Sequence, residues 1–196
     1  MARQLVIKIG GSLLSSAGSI IRTINQTAPD ALIIPGGGIF AEAVRDLHVE
    51  GTAAHWMAIA GMDQFGWYLS TFGMSTTLEP NFNGLPQIFL PYQFLVREDP
   101  LPYSWDITSD TISAWIAFHL KTNLLILKSI DQIRADGEQI EVLSKEIATT
   151  DLDPVFPQFI YTHQISGLII NGKEAKRITG ALRGEPVLGT IFGTTI

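Results

Sequence analysis

Two short apolar runs each end on a cluster of glycines. Gln4-Leu5-Val6-Ile7-Lys8-Ile9 runs into Gly10-Gly11-Ser12, and Ala31-Leu32-Ile33-Ile34-Pro35 runs into Gly36-Gly37-Gly38. A run apolar at nearly every position reads as a strand buried on both faces, which requires helices packed on each side of the sheet. Between the two, residues 18–28 (GSIIRTINQTA) carry helical spacing, so the chain opens as strand, helix, strand. Ligands of such folds bind beyond the carboxyl ends of the strands, and both glycine clusters lie there.

The alternation continues. From Phe40 to Phe72, apolar residues recur three and four positions apart, as two amphipathic helices separated near Glu50-Gly51. Residues 80–91 hold turn signals and a short strand, and the proline-rich stretch 97–106 (REDPLPYSWD) reads as a loop. Ser109 or Thr108 caps a helix over 111–120, followed by another doubly buried strand in NLLILKSI (123–130). Asp136-Gly137 marks a turn, DLDPVFPQF (151–159) reads as irregular, and GLIING, KEAKRITGALRG and GTIFGTT read as strand, helix and strand. The pattern predicts an α/β chain with a mainly parallel open sheet, as a single domain over residues 1–196. At 46% hydrophobic and 16% charged, the chain has material for one core and does not read as disordered.

Composition narrows function by exclusion. The first apolar run is short and broken by Lys8, so neither a signal peptide nor a membrane span is expected. The absence of cysteine rules out disulfides, iron–sulfur clusters and thiolate zinc sites, and a cytoplasmic protein is the expectation. A net charge of −6 speaks against nucleic-acid binding, which draws on clustered Lys and Arg. A small anion would have to be held locally, by glycine amides, a few lysines and a metal. His48, His55, His119 and His163 are scattered, so no protein metal cluster is expected. Gly167 to Lys173 matches the glycine–lysine spacing of a P-loop, but Glu174 stands where Ser or Thr is needed and the middle reads as a strand.

Four segments carry candidate chemistry. In Lys8-Ile9-Gly10-Gly11-Ser12, amides, a hydroxyl and an ammonium converge as for a phosphate, although a tight turn beside an edge lysine uses the same residues. Three consecutive glycines, Gly36-Gly37-Gly38, are entropically expensive for a bare turn and point to close approach by a ligand. With Ile39-Phe40-Ala41 they also match G-x-G-x-x-A, but the acidic partner falls at Asp63, inside a helical pattern. In Trp105-Asp106-Ile107-Thr108-Ser109-Asp110, Asp110 either serves a helix first turn, orients Lys8, or contacts a metal. Lys128 ends a buried strand three residues before Asp131, as a phosphate ligand or a snorkelling lysine. His55 is either a substrate contact or an ordinary helix-face histidine.

Taken in order, KIGGSLL (8–14), PGGG (35–38), TSD (108–110), LLILKSIDQI (124–133) and LGTIF (188–192) resemble the amino acid kinase superfamily over most of the chain. The resemblance implies a three-layer αβα sandwich that binds ATP, with Mg²⁺, beside a small anionic acceptor. It implies Lys8 and Asp110 as catalytic and Lys8, Gly10, Gly11, Ser12, Lys128 and Asp131 around ATP, and it singles out no metal ligand. Gly36, Gly37, Gly38, His55, Trp105 and Thr108 would face the acceptor. The second catalytic lysine of many members, in a Gly-Gly-Met-x-x-Lys segment, has no counterpart here, leaving Lys128 or Lys173 to substitute. Gln132 also replaces the usual glycine of the nucleotide loop.

Within the superfamily, AAHWMAIAGMDQ (53–64) and SWDITSD (104–110) are similar to the archaeal branch of methanofuran biosynthesis. That likeness implies phosphorylation of (5-(aminomethyl)furan-3-yl)methyl phosphate, with Trp56 or Trp105 against the furan. Alternatives are another acceptor (isopentenyl phosphate, UMP, aspartate or acetylglutamate), a non-catalytic nucleotide-binding protein, or a dehydrogenase read from GGGIFA alone. A homo-oligomer through the apolar helix 53–72 is expected.

Overall fold

The computed structural model describes residues 4–28 and 30–193. It begins with β1 (Gln4–Ile9), a 3₁₀ turn (Gly11–Ser16), α1 (Ala17–Thr27) and β2 (Asp30–Pro35). Two helices follow, α2 (Gly38–Asp46) and α3 (Gly51–Ser70), then short strands β3 (Thr76–Thr77) and β4 (Gln87–Phe89) and helix α4 (Tyr92–Glu98). Next come α5 (Ser109–His119), β5 (Asn123–Lys128) and a hairpin of β6 (Ile133–Ala135) and β7 (Glu138–Ile140). The chain closes with α6 (Phe156–Thr162), β8 (Gly167–Asn171), α7 (Ala175–Arg183) and β9 (Thr190–Phe192). Thr194 and Thr195 of the segment GTIFGTT, and Met1–Arg3 of the N-terminal run, lie outside the described residues.

Seven strands form one sheet in the order β3-β4-β2-β1-β5-β8-β9. Neighbours pair in parallel except β9, which runs antiparallel to β8 at the edge. Successive strand residues face opposite sides, so each apolar run feeds two cores. Leu5, Ile7 and Ile9 of β1, with Leu125 and Leu127 of β5, pack beneath Ile20, Ile21 and Ile24 of α1 and Ile178 of α7. Val6 of β1 and Leu124 and Ile126 of β5 face the other way, against Ile112 and Ile116 of α5 and Phe156 and Ile160 of α6. Helices therefore cover both faces, as the doubly apolar strands require. The two glycine-terminated ends, of β1 and β2, lie side by side because Ile9 is in register with Pro35.

Two helices stand where irregular chain was expected. Residues 92–98 form α4, which buries Phe94 and Leu95, so Arg97 and Glu98 of the predicted loop are helical. Its end is set by Asp99, whose φ of 42° leaves the helical region. Residues 156–162 form α6, with Pro157 in the first turn, where a missing N–H breaks no helical bond. The Asp-Gly turn is as read: Asp136 and Gly137 both have positive φ, 51° and 83°, and join β6 to β7.

Gly167 marks the tightest point of the sheet. A Cβ there would overlap the carbonyl oxygen of Leu124 and the ring of Phe192. Backbone cannot step aside as a side chain can, so Gly167→Ala should lower stability by about 2–3 kcal/mol. A urea midpoint unchanged from the parent protein would show that the sheet opens here without strain.

Candidate active site

The period of two along a strand sets the site. Val6 and Lys8 leave β1 on the α5 side, and Leu124, Ile126 and Lys128 leave β5 on the same side, with Lys8 in register with Ile126. Lys128, two residues beyond Ile126, is thus the diagonal neighbour of Lys8 across two parallel strands. The N-terminus of α5 lies over this pair and brings Asp110. Lys8 Nζ donates to Asp110 Oδ1 at 2.7 Å and Lys128 Nζ donates to Oδ2 at 2.8 Å, so one carboxylate bridges two ammonium groups. The side chains of Lys8 and Asp110 are each 5% exposed and that of Lys128 15%.

Burial alone would push the Asp110 carboxyl up, but the charges and hydrogen bonds of Lys8 and Lys128 outweigh it and hold the group well below the usual carboxylate range. Its place in the first turn of α5 adds the favourable helix dipole. Burial pulls the Lys8 ammonium below its usual pKa while Asp110 pulls it back up; with both lysines protonated the three groups carry a net charge of +1 in a place largely shielded from water. Such an arrangement attracts an anion strongly, because the water that would otherwise screen the excess charge is excluded.

A second carboxylate fixes the helix that carries Asp110. Asp153, 5% exposed, receives five hydrogen bonds. The backbone N–H and hydroxyl of Thr108 and the N–H of Thr111 donate to Oδ2, while the Thr111 hydroxyl and the N–H of Phe156 donate to Oδ1. Asp153 thereby caps α5 and α6 together. Thr108 is the N-cap of α5, its hydroxyl accepting from the Asp110 N–H at 3.3 Å. The Thr108 hydroxyl, proposed on sequence grounds as an acceptor contact, is committed to this network although the residue borders the cavity.

The triad borders a cavity of about 480 Å³. Gly11, Ser12, Gly37 and Gly38 line it beside Lys8 and Lys128. The two glycine loops touch directly: a Cβ on Gly11 would overlap the Cα and N of Gly38, whose φ is +52°. Gly10 and Gly36 stand behind the lining. Their amides extend the sheet, Gly10 N–H donating to Leu127 O and Gly36 N–H to Ile9 O, both at 2.9 Å, so they act as spacers. His55 and Trp105 reach the cavity, with the His55 ring 4.5 Å from that of Tyr103. Burial lowers the His55 pKa against the pull of Asp99, favouring neutral imidazole. Trp56, which does not line the cavity, is half-buried against the core beside Tyr92, at 6.2 Å between ring centroids, and its ring also meets those of His55 and Tyr103.

Asp131 is held elsewhere: its Oδ1 accepts from Asn171 at 2.9 Å and from Arg177 at 2.7 Å. Lys173 is exposed, with only its backbone N–H tied to Asn171 Oδ1, so the second ammonium of the triad is that of Lys128. Gln132, in place of the loop glycine, is buried and donates from Nε2 to Gly189 O at 3.1 Å. Among the described residues, no group of three or more His, Asp or Glu side chains is placed to hold a metal ion. No helix among them is long and apolar enough to cross a membrane.

Sequence reasoning missed Asp153, Glu42, Arg45 and Tyr103. For Asp153 a signal existed, since an acidic residue before Pro154 and an apolar run is a helix-start pattern. Glu42 and Arg45 share the cavity face of α2 with Gly38 at helical spacing, and Arg45 pairs with Glu42 and lies over the Trp105 ring at 4.6 Å.

The αβα architecture with paired glycine loops beside a lysine–aspartate site is the amino acid kinase fold. No protein-family model matches the chain. In sequence it is 27% identical, over 92% of its length and 93% of the relative's, to the [5-(aminomethyl)furan-3-yl]methyl phosphate kinase of Methanocaldococcus jannaschii. In structure it is similar to the UMP kinase of Ureaplasma parvum, with a TM-score of 0.71 and 17% identity over 99% of this chain and 100% of the other. A uridylate kinase from Archaeoglobus fulgidus gives a TM-score of 0.69 at 17% identity, covering 98% and 100% of the two chains. An isopentenyl phosphate kinase gives 0.69 at 14%, covering 96% and 100%.

Removing the bridge should be felt in stability as well as in chemistry. Asp110 binds fewer protons folded than unfolded across the acid range, so its contribution is complete above the ordinary carboxylate pKa and is lost as pH falls through and below it. Asp110→Asn should cost about 3 kcal/mol at pH 7, where two buried ammoniums lose their counter-ion. It should also flatten the acid limb of the stability–pH curve. Urea titrations from pH 7 to pH 3 that superimpose for variant and parent would overturn this account.

Proposed function

We propose that the chain transfers the γ-phosphoryl group of ATP to the phosphate of (5-(aminomethyl)furan-3-yl)methyl phosphate, giving its diphosphate and ADP. The observation that carries the transfer is the Lys8–Asp110–Lys128 bridge in the wall of a cavity also lined by Gly11, Ser12, Gly37 and Gly38. The acceptor comes from the relative of that name, aligned over nearly the whole length of both chains, and from the likeness of residues 53–64 and 104–110 to the methanofuran branch.

An oxygen of the acceptor phosphate attacks the γ-phosphorus as the bond to the β,γ-bridging oxygen breaks, and the electron pair leaves with ADP. No protein nucleophile is needed; the work is alignment and charge stabilisation. Lys8 contacts the transferring group, which gains negative charge on its outer oxygens. Asp110 keeps Lys8 and Lys128 apart and pointed, and Lys128 supplies the second cation toward the nucleotide phosphates. The Gly11 and Ser12 amides face the transferred group and the Gly37 and Gly38 loop faces the acceptor. ATP enters as its Mg²⁺ complex. The two ammonium groups and free amides suit an ion carried by phosphates and water, since the nearest carboxylate, Asp110, is taken by lysines.

ADP release should be measured by a coupled assay with Mg-ATP and a panel of acceptors: the aminomethylfuran phosphate, isopentenyl phosphate, UMP, acetylglutamate, aspartate and carbamate. The expected result is strong turnover with the furan phosphate and a loss of about 10²–10³ in kcat for Lys8→Ala with folding intact. Turnover confined to another acceptor would replace the substrate. ATP binding without turnover of any acceptor would favour a binding role, and near-normal rates in Lys8→Ala would remove Lys8 from the chemistry.

A further inference from the structure

At the rim of the cavity, away from the triad, sits a corner that already holds a cation. Glu42 and Arg45 rise from α2 on the same face as Gly38 and Ala41, and all four line the cavity. Arg45 Nη1 donates to Glu42 Oε1, and the guanidinium lies over the Trp105 ring at 4.6 Å. A carboxylate beside an aromatic face is the combination that binds organic cations, and here the chain's own arginine displays it. Among the described residues, nothing else donates to Glu42, so Oε2 is left for another donor.

The placement along the helix gives this corner a use. Gly38 opens α2 in the loop that faces the phosphates. Glu42 stands about one turn further, or roughly 6 Å along the axis. The same cavity has apolar lining in Ala54, Ala58, Ile59, Met62 and Ile107. A ligand that fits has a phosphate at one end, a flat apolar body in the middle and a cation at the other. Isopentenyl phosphate lacks the cation. UMP carries none in its base at neutral pH. The aminomethylfuran phosphate has all three parts.

We infer that Glu42 is the specificity residue for the acceptor's ammonium group, taking it on Oε2 at the rim beside Trp105 while the acceptor phosphate sits against the glycine loops. This rests on the acceptor reading above and extends it to a named side chain. Glu42 lies away from the reacting phosphates and its side chain is 61% exposed, so replacing it should disturb neither ATP binding nor folding.

The test compares two acceptors with the parent protein and Glu42→Gln: the aminomethylfuran phosphate, and the same molecule with methyl in place of aminomethyl. Loss of a charge-assisted hydrogen bond should lower kcat/KM for the amine about tenfold or more in Glu42→Gln. The effect should lie mainly in KM, with the methyl acceptor and the KM for ATP unchanged. Glu42→Asp should recover part of the loss. Equal losses on both acceptors, or none on either, would overturn the role of Glu42. A parent protein that uses the methyl acceptor as well as the amine would overturn the ammonium site while leaving the furan-phosphate reading intact. A parent inert to both acceptors but active on another in the panel would overturn that reading and the inference with it.

Discussion

One buried carboxylate holds the working end of this protein together. Asp110 reaches Lys8 and Lys128 with separate oxygens, and without it two ammonium groups on adjacent strands would face each other out of water. The cost of burying the three charges is offset by short, charge-assisted hydrogen bonds within the bridge. Every larger feature bears on this contact. The sheet sets the spacing of the lysines, the cap by Asp153 fixes the first turn of α5, and the apolar faces of α5 and β5 keep water out. The fold thereby maintains an excess positive charge at a point where solvent alone would dissipate it.

The same reasoning explains how one side of the sheet became a site and the other a plain core. Both faces are equally apolar along β1 and β5 until the last residues. There, on one face, the alternation delivers Lys8 and Lys128 in place of further aliphatic side chains, while Ile9 and Leu127 continue the other core. A shift of one residue in either strand would send its lysine into the opposite core. Register thus decides whether the two lysines meet Asp110 at all.

Much of this was legible in the sequence because it is written in local patterns. The doubly apolar strands, the glycine clusters at their ends and the capped helix before β5 all have short-range signatures, and the sheet and its helices follow from them. The two unforeseen helices, α4 and α6, are seven residues each and carry a proline at or just before their first turn, so tertiary burial of Phe94, Leu95, Phe156 and Ile160 decides them rather than their own periodicity. The roles of Asp131 and Asp153 turn on partners far along the chain. Arg177, 46 residues on, draws Asp131 away from the cavity. Asp153 finds Thr108 and Thr111 across 45 and 42 residues. Spacing alone carries no trace of such meetings. Gly10 and Gly36 stand behind the cavity lining, because their amides are taken up in completing the sheet.

The contact between Gly11 and Gly38 leaves no room for a side chain or a water layer between the two loops. They form a single seam, one backbone thick. A shift of either loop is passed to the other by direct collision, so the ends of β1 and β2 can move only together. Mutational drift at either glycine is closed off for the same reason: any added carbon would wedge the seam open.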